Sequence, residues 1–381
     1  LNIAFSVWFT EAIWYFYWGK FANYSTIGML FSITSILQLA LVVPTGVWAD
    51  MFGQKKSVIL GVGLLLLGSV ATALGTSIIW LFIGVILQSS GRAFISGALD
   101  ALIYESLDDT AKKEKYDRIV AFNTQLTIFT FALTAVMGGW LYGIYFRLPH
   151  ILTAIFTLIA FMVSFQLKEA KVNHIVHHTQ QFIHLHAMGF KELLNKNIQA
   201  FVIPSLILFV MMRMYDWGLS KPAIAIGFGF FAKEQSVIYA VSAIVCTIII
   251  GQLPVFRRKI NDWEGVMGLG ILVSLGFMAA YLKLGWYGII PMLVIENAGR
   301  LSTPWMLAIV NKRIGSAHRA TTLSTLEFIG RVPYIGLNYL AGKAIDDKVI
   351  TVFHLQVGLI SLIVLLLWYI IVRLNRSITT S

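Results

Sequence analysis

Charged residues are scarce in this chain, at 12% against ~25% in soluble globular proteins, while 58% of residues are hydrophobic. Water cannot be the only solvent of such a chain. Hydrocarbon sets a different rule: every backbone N–H and C=O must be satisfied inside its own segment, so a helix of roughly 20 apolar residues becomes the crossing unit. Cysteine is nearly missing. The single Cys246 lies in an apolar run, which excludes a disulfide framework and a cysteine-based metal site. No Gly-Lys-Ser/Thr phosphate loop occurs, which speaks against an enzyme and against direct driving by ATP. Acidic residues are outnumbered, 18 to 29 by Lys and Arg, for a net charge of +11. Such an excess can mark a nucleic-acid binder, but its placement here follows membrane topology, and no nucleic-acid partner is expected.

What the chain does have is apolar length. Runs at about 2–20, 25–49, 57–75, 78–104, 120–146, 149–167, 198–217, 234–255, 264–282, 286–311, 321–344 and 349–373 predict an all-α membrane protein of twelve transmembrane helices. The first run lacks the basic n-region and cleavage site of a signal peptide and carries Glu11 at its centre. Leu1 already falls inside that run, so a short preceding segment is expected. If residues 50–56 are cytoplasmic, the connections on that side hold eighteen Lys and Arg and those on the other side seven. This asymmetry predicts that both termini are cytoplasmic.

Residue types recur at a nearly constant offset. Glu11 matches Asp216 and Gly46 matches Gly251 at 205, while Gly91-Arg92 matches Gly299-Arg300 at 208. Two parallel six-helix halves follow, 1–168 and 198–381, joined by a polar linker at 169–197. The linker holds His174, His177 and His178 at helical metal-clamp spacing, but no Asp, Glu or Cys among the three completes a site, and no metal is expected.

An ionised side chain at mid-membrane costs roughly 2.5 to 3.5 kcal/mol, so each one needs a protein or water partner. Glu11, Arg92, Arg213, Asp216, Glu296, Arg300, Glu327 and Arg331 all fall inside predicted spans. Glu296 with Arg300 and Glu327 with Arg331 have the favourable i, i+4 order, and Arg213 with Asp216 is three apart. Glu11 has no base within four positions, which makes Arg92 its expected partner. Desolvation and a neighbouring arginine act on a carboxylate in opposite senses, and a group balanced between them can load and release a proton. Glu11 and Asp216 are therefore the expected proton-coupling carboxylates. Trp14 and Trp305 are placed to stack a flat ligand.

Residues 46–57 read Gly-Val-Trp-Ala-Asp-Met-Phe-Gly-Gln-Lys-Lys-Ser between two apolar runs, as a cytoplasmic turn would. The stretch resembles the signature loop of the major facilitator superfamily, with Gly46, Asp50, Gly53, Lys55 and Lys56 at its key positions. The resemblance implies a gate in which Asp50, Lys55 and Lys56 join Asp100 on the fourth helix. It also implies a central cavity lined by helices 1, 4, 7 and 10, so that Trp14, Arg92, Arg213, Glu296, Arg300 and Trp305 would meet substrate. Asn311 to Ser324 look like bacterial drug-efflux permeases, whereas Thr134 and Ala135 replace the Gly-Pro of the antiporter motif before Gly138-Gly139. The expected function is a proton-coupled secondary transporter that exports small amphiphilic compounds by alternating access. Uptake of an organic anion or sugar by proton symport is the alternative within transport, and a non-transporting membrane receptor or scaffold is the alternative outside it. The expected setting is the bacterial plasma (inner) membrane, where the protein works as a monomer with protons, substrate and lipid as partners. No cofactor is expected beyond the proton gradient.

Overall fold

The computed structural model describes residues 7–105, 107, 112–169, 188–196, 198–315 and 319–374, which are almost wholly helical and hold no strand. In chain order the helices are α1 (Trp14–Trp18), α2 (Tyr24–Phe52), α3 (Gln54–Leu74), α4 (Ile78–Ile95), α5 (Ala98–Glu105), α6 (Lys112–Ile144) and α7 (Leu148–Ser164). There follow α8 (Gln199–Asp216), α9 (Ser220–Gly227), α10 (Ala232–Gly251), α11 (Leu253–Lys259), α12 (Asp262–Ala279), α13 (Ile289–Arg313), α14 (Arg319–Asp346) and α15 (Ile350–Leu374). A 3-10 turn, Gly285–Gly288, leads into α13. Each of the twelve predicted spans overlaps at least one of these helices. Among the described residues, eight helical stretches are long and apolar enough to cross a bilayer.

The structure departs from the sequence reading at three places. The stretch 46–57 is not an open loop: α2 runs through Gly46 and Asp50 to Phe52, and α3 begins at Gln54. Gly53 alone breaks the helix, at φ 104° and ψ 146°, a region closed to residues with a Cβ. The fourth span is interrupted between Ile95 and Ala98, where Gly97 takes φ 80° and divides α4 from α5. The connection after the seventh span, read as an outer loop, folds instead into α9, whose residues Ser220 to Ala225 are buried.

The chain divides into two compact units, Leu1–Ala22 with Ile33–Thr179 and Ala232–Val241, and Asn23–Ser32 with Gln180–Phe231 and Ser242–Ser381. In the first unit, α3 and α4 come together through glycines. A Cβ at Gly61 would meet the Gly91 carbonyl oxygen at 2.7 Å, and a Cβ at Gly91 would meet that of Gly61 at 2.5 Å. Lipid tails are as apolar as the side chains, so close backbone approach of this kind, rather than a hydrophobic drive, holds membrane helices together. Ser57 adds a hydrogen bond from its hydroxyl to the Phe94 carbonyl at 2.7 Å. Beneath the Gly53 turn, Ala49, Val58, Val62, Ala98 and Ala160 form a small buried cluster.

In the second unit, α12 rests on α13 and α15 through small residues. A Cβ at Gly358 would meet the Ser274 carbonyl oxygen at 2.6 Å, and one at Gly276 or Gly265 would strike Ile295 or the Trp305 indole. The first turns of α2 belong to this unit and are held by α14. Asp346 accepts hydrogen bonds from the Tyr24 and Ser25 N–H groups, both at 2.8 Å, which satisfies two of the otherwise unpaired donors at that helix start.

Candidate substrate and coupling site

A cluster of four charges lies within the second unit. Asp216 is the last residue of α8, Lys221 stands in the first turn of α9, and Glu296 and Arg300 lie one turn apart on α13. Lys221 Nζ is 2.8 Å from Glu296 Oε2 and 4.0 Å from Asp216 Oδ1. Arg300 Nη2 is 3.1 Å from Glu296 Oε1 and 3.7 Å from Asp216 Oδ2, and its Nε also donates to Glu296 Oε1 at 3.2 Å. Each base touches both acids and each acid both bases. The result is a closed ring of four alternating charges with no net charge, in which Lys221 and Glu296 are buried, Asp216 is partly exposed and the Arg300 side chain is 50% exposed.

The two acids are held unequally. Both Glu296 oxygens accept charge-assisted hydrogen bonds, at 2.8 Å from Lys221 and at 3.1 and 3.2 Å from Arg300, a class roughly twice as strong as neutral ones. Asp216 meets its two bases only at 3.7 and 4.0 Å. The i, i+4 spacing of Glu296 and Arg300 predicts their contact, and they do pair. Arg213 and Asp216 do not form the expected couple, because Asp216 turns to Lys221 and Arg300. Lys221 is a member of the ring that sequence reasoning missed. No periodicity marks it, since it lies past the end of an apolar run, and only the burial of α9 brings it in.

Arg213 sits elsewhere, with its guanidinium carbon 5.1 Å from the Trp217 ring centre and 5.8 Å from that of Tyr334. The groups it interacts with electrostatically include Arg331, Glu327 and Asp216. Among the described residues no salt bridge joins Glu327 to Arg331, although their spacing would allow one. In the first unit, Arg92 on α4 lies 4.9 Å from the Trp8 ring centre and has Glu11 as an electrostatic neighbour. Glu11 stands in a turn just before α1, and Trp14 packs edge-on against Tyr15 and Trp18. Trp305 is 2% exposed, lies against Gly265, and donates from its indole N–H to the Asp262 carbonyl at 3.4 Å.

At the signature stretch, the Lys55 N–H opens α3 and is met by both carboxylate oxygens of Glu169 at 3.2 Å. A Cβ on Gly53 would come within 2.7 Å of the same carboxylate. Glu169 is a second residue the sequence reading missed, since it is distant in the chain and stands just past a span end. Among the described residues no salt bridge joins Asp50, Lys55, Lys56 or Asp100 to one another. In the second unit, charge gathers on Asp262, which Arg257 meets at 2.8 Å, Arg313 at 3.3 Å and Lys312 at 3.9 Å. His174, His177 and His178 lie outside the described residues, and among the described residues no group of His, Cys, Asp and Glu is arranged to hold a metal.

Residues 2–336 match the family model for the Major Facilitator Superfamily. The chain is 27% identical over 279 residues to Multidrug resistance protein 2 of Bacillus subtilis (strain 168), a stretch covering 71% of this chain and 67% of that protein. It is 21% identical over 380 residues to YxaM, an uncharacterized MFS-type transporter of the same organism, covering 96% and 92%. Among solved structures, the nucleoside transporter NupG aligns with a TM-score of 0.74 at 15% identity, covering 97% of each chain. A POT family transporter aligns with a TM-score of 0.73 at 12% identity, covering 100% of this chain and 95% of that one. At such identities the structural likeness speaks for the fold.

Proposed function

Given that the chain belongs to the major facilitator superfamily and is an integral membrane transporter, we propose that it exports small amphiphilic compounds in exchange for protons, by alternating access. The observation that carries this reading is the four-charge ring of Asp216, Lys221, Glu296 and Arg300. A charge ring with buried members is costly to maintain merely for stability, since well-packed apolar residues often serve as well. In this proposal it is kept because one acid exchanges a proton. Asp216 is that acid, because protonating it gives up two long ion contacts, whereas protonating Glu296 would break charge-assisted hydrogen bonds. Once Asp216 is neutral, Lys221 and Arg300 share a single carboxylate and carry surplus positive charge. That surplus changes the ring's preference for substrate, which is the coupling the exchange needs. Glu11 beside Arg92 is the matching proton site in the first unit.

The multidrug-resistance name of one relative favours export over uptake. The excess of Lys and Arg in alternate connections favours cytoplasmic termini, and the bacterial relatives favour the plasma (inner) membrane. We place the cytoplasmic gate at Gly46, Asp50, Gly53, Lys55, Lys56 and Asp100 and take the monomer as the working unit.

The test is proton flux in proteoliposomes with a trapped pH dye, for wild type, Asp216→Asn and Glu11→Gln, against a panel of amphiphilic compounds. Substrate-dependent flux that disappears in either variant, with substrate exchange retained, supports the proposal. Flux unchanged in both variants sinks the coupling assignment.

A further inference from the structure

The four-charge ring balances itself, and so leaves two other guanidinium groups of the same unit to be accounted for. Arg213 on α8 and Arg331 on α14 are electrostatic neighbours of like sign. The Nε–H of each is buried with no hydrogen-bond acceptor, and among the described residues neither forms a salt bridge. Outside the ring, the carboxylate that the described residues set near Arg213 is Glu327, and it is exposed. Within the spans of this unit, Arg213 and Arg331 against Glu327 therefore leave one positive charge unmatched.

The two groups are held in place. The Arg213 guanidinium lies within cation–π reach of the rings of both Trp217 and Tyr334. Tyr334 is buried and its hydroxyl donates to the Trp217 carbonyl at 2.9 Å, which ties the end of α8 to α14. Arg331 lies one turn before Tyr334 and so shares its face of α14. Directly below, Gly330 lets Phe209 of α8 come closer than a Cβ would allow. The Trp217 indole itself is 55% exposed, an open aromatic face beside the Arg213 guanidinium.

We propose that Arg213 and Arg331 bind the anionic group of the transported compound while its apolar body lies on Trp217, so that the substrates are aromatic amphiphiles bearing one carboxylate, sulfonate or phosphate. This rests on the transport reading above and narrows it. A planar anion supplies the acceptor that each buried Nε–H lacks, can be held in bidentate geometry by a guanidinium, and cancels the surplus charge. A cationic amphiphile meets like charge at the same place. A neutral one leaves the guanidinium groups unpaired, and a buried polar group left unpaired is what makes a site discriminate strongly.

The experiment is calorimetric binding to the purified protein in lipid nanodiscs, using three compounds of one shape: naphthalene-2-acetate, naphthalene-2-acetamide and 2-(2-naphthyl)ethylammonium. The anion is expected to bind at least about tenfold more tightly than the other two. Arg331→Gln and Arg213→Gln should each cost the anion about tenfold and leave the amide unchanged, while Arg331→Lys recovers part of the loss. Should Arg331→Gln fail to fold, inorganic sulfate competing with naphthalene-2-acetate on the wild type reads the same contact. Equal affinity for all three compounds, tighter binding of the cation, or anion affinity unchanged in both glutamine variants overturns the proposal. Proteoliposome flux separates this outcome from the fate of the transport reading. An anion that binds through Arg331 yet is not exchanged for protons sinks proton-coupled export alone, and a cation exported equally well by Arg331→Gln sinks the anion site alone.

Discussion

Lys221 donates to Glu296 at 2.8 Å from a short buried helix that the sequence presents as an outer connection. This one contact turns an i, i+4 pair on α13 into a closed ring spanning three helices, and the stability and chemistry of the site both depend on it.

Removing the lysine leaves a buried carboxylate with Arg300 alone beside it at short range. Lys221→Met is expected to destabilise the protein by about 3–5 kcal/mol, the usual cost of breaking one side of a buried ion pair. The double variant Lys221→Met with Glu296→Leu should recover most of that loss, because no buried charge is then stranded. Thermal unfolding in a fixed detergent reads both. A double variant no more stable than the single one would show that the lysine acts through packing of α9 instead.

The two ring acids should separate by phenotype. Asp216→Asn keeps the charge-assisted bonds to Glu296 and is expected to fold with near wild-type thermal stability while losing proton flux. Glu296→Gln removes two charge-assisted contacts and is expected to unfold at clearly lower temperature. Scanning calorimetry alongside dye flux makes the comparison, and equal destabilisation by the two variants would contradict the unequal grip seen in the geometry.

Gly53 carries both a backbone and a steric demand. Its φ of 104° is strained for any other residue, and a Cβ would press on the Glu169 carboxylate that caps α3. Gly53→Ala should cost about 1–3 kcal/mol from backbone strain alone. Glu169→Ala should cost about 0.5–2 kcal/mol as a lost cap. Faster amide hydrogen exchange confined to the first turn of α3 is the signature expected of the Glu169 change.

Glycines of the two kinds can be told apart. Gly91 faces the Gly61 carbonyl, so Gly91→Leu forces α3 and α4 apart and should sharply reduce the yield of folded protein. At Gly46 a Cβ meets nothing within 4 Å, and Gly46→Ala within a helix should hold or raise the unfolding temperature. A loss of transport in Gly46→Ala with full stability would then assign that glycine to the conformational cycle rather than to packing.

Legibility followed range. The spans could be read because hydrocarbon imposes a length and composition that no tertiary contact changes, and Glu296 with Arg300 because a helix itself sets neighbours four apart. Lys221 and Glu169 could not, since each reaches its site from beyond the end of an apolar run and acts on a residue more than seventy positions away. Spacing suggested Glu327 with Arg331 and Arg213 with Asp216, yet among the described residues the first pair forms no salt bridge, and in the second Asp216 turns to Lys221 and Arg300 on other helices.

The amino-acid sequence alone determined that this is an all-α membrane protein of twelve spans with charged residues set within several of them, because the bilayer reads only local length, polarity and sign. The tertiary structure decided which charges cancel and which remain. That depends on the break at Gly97, the inward fold of α9 and the closeness of α8 to α14, and so on how separate helices meet, where electrostatic energies are set by distances of a few ångströms.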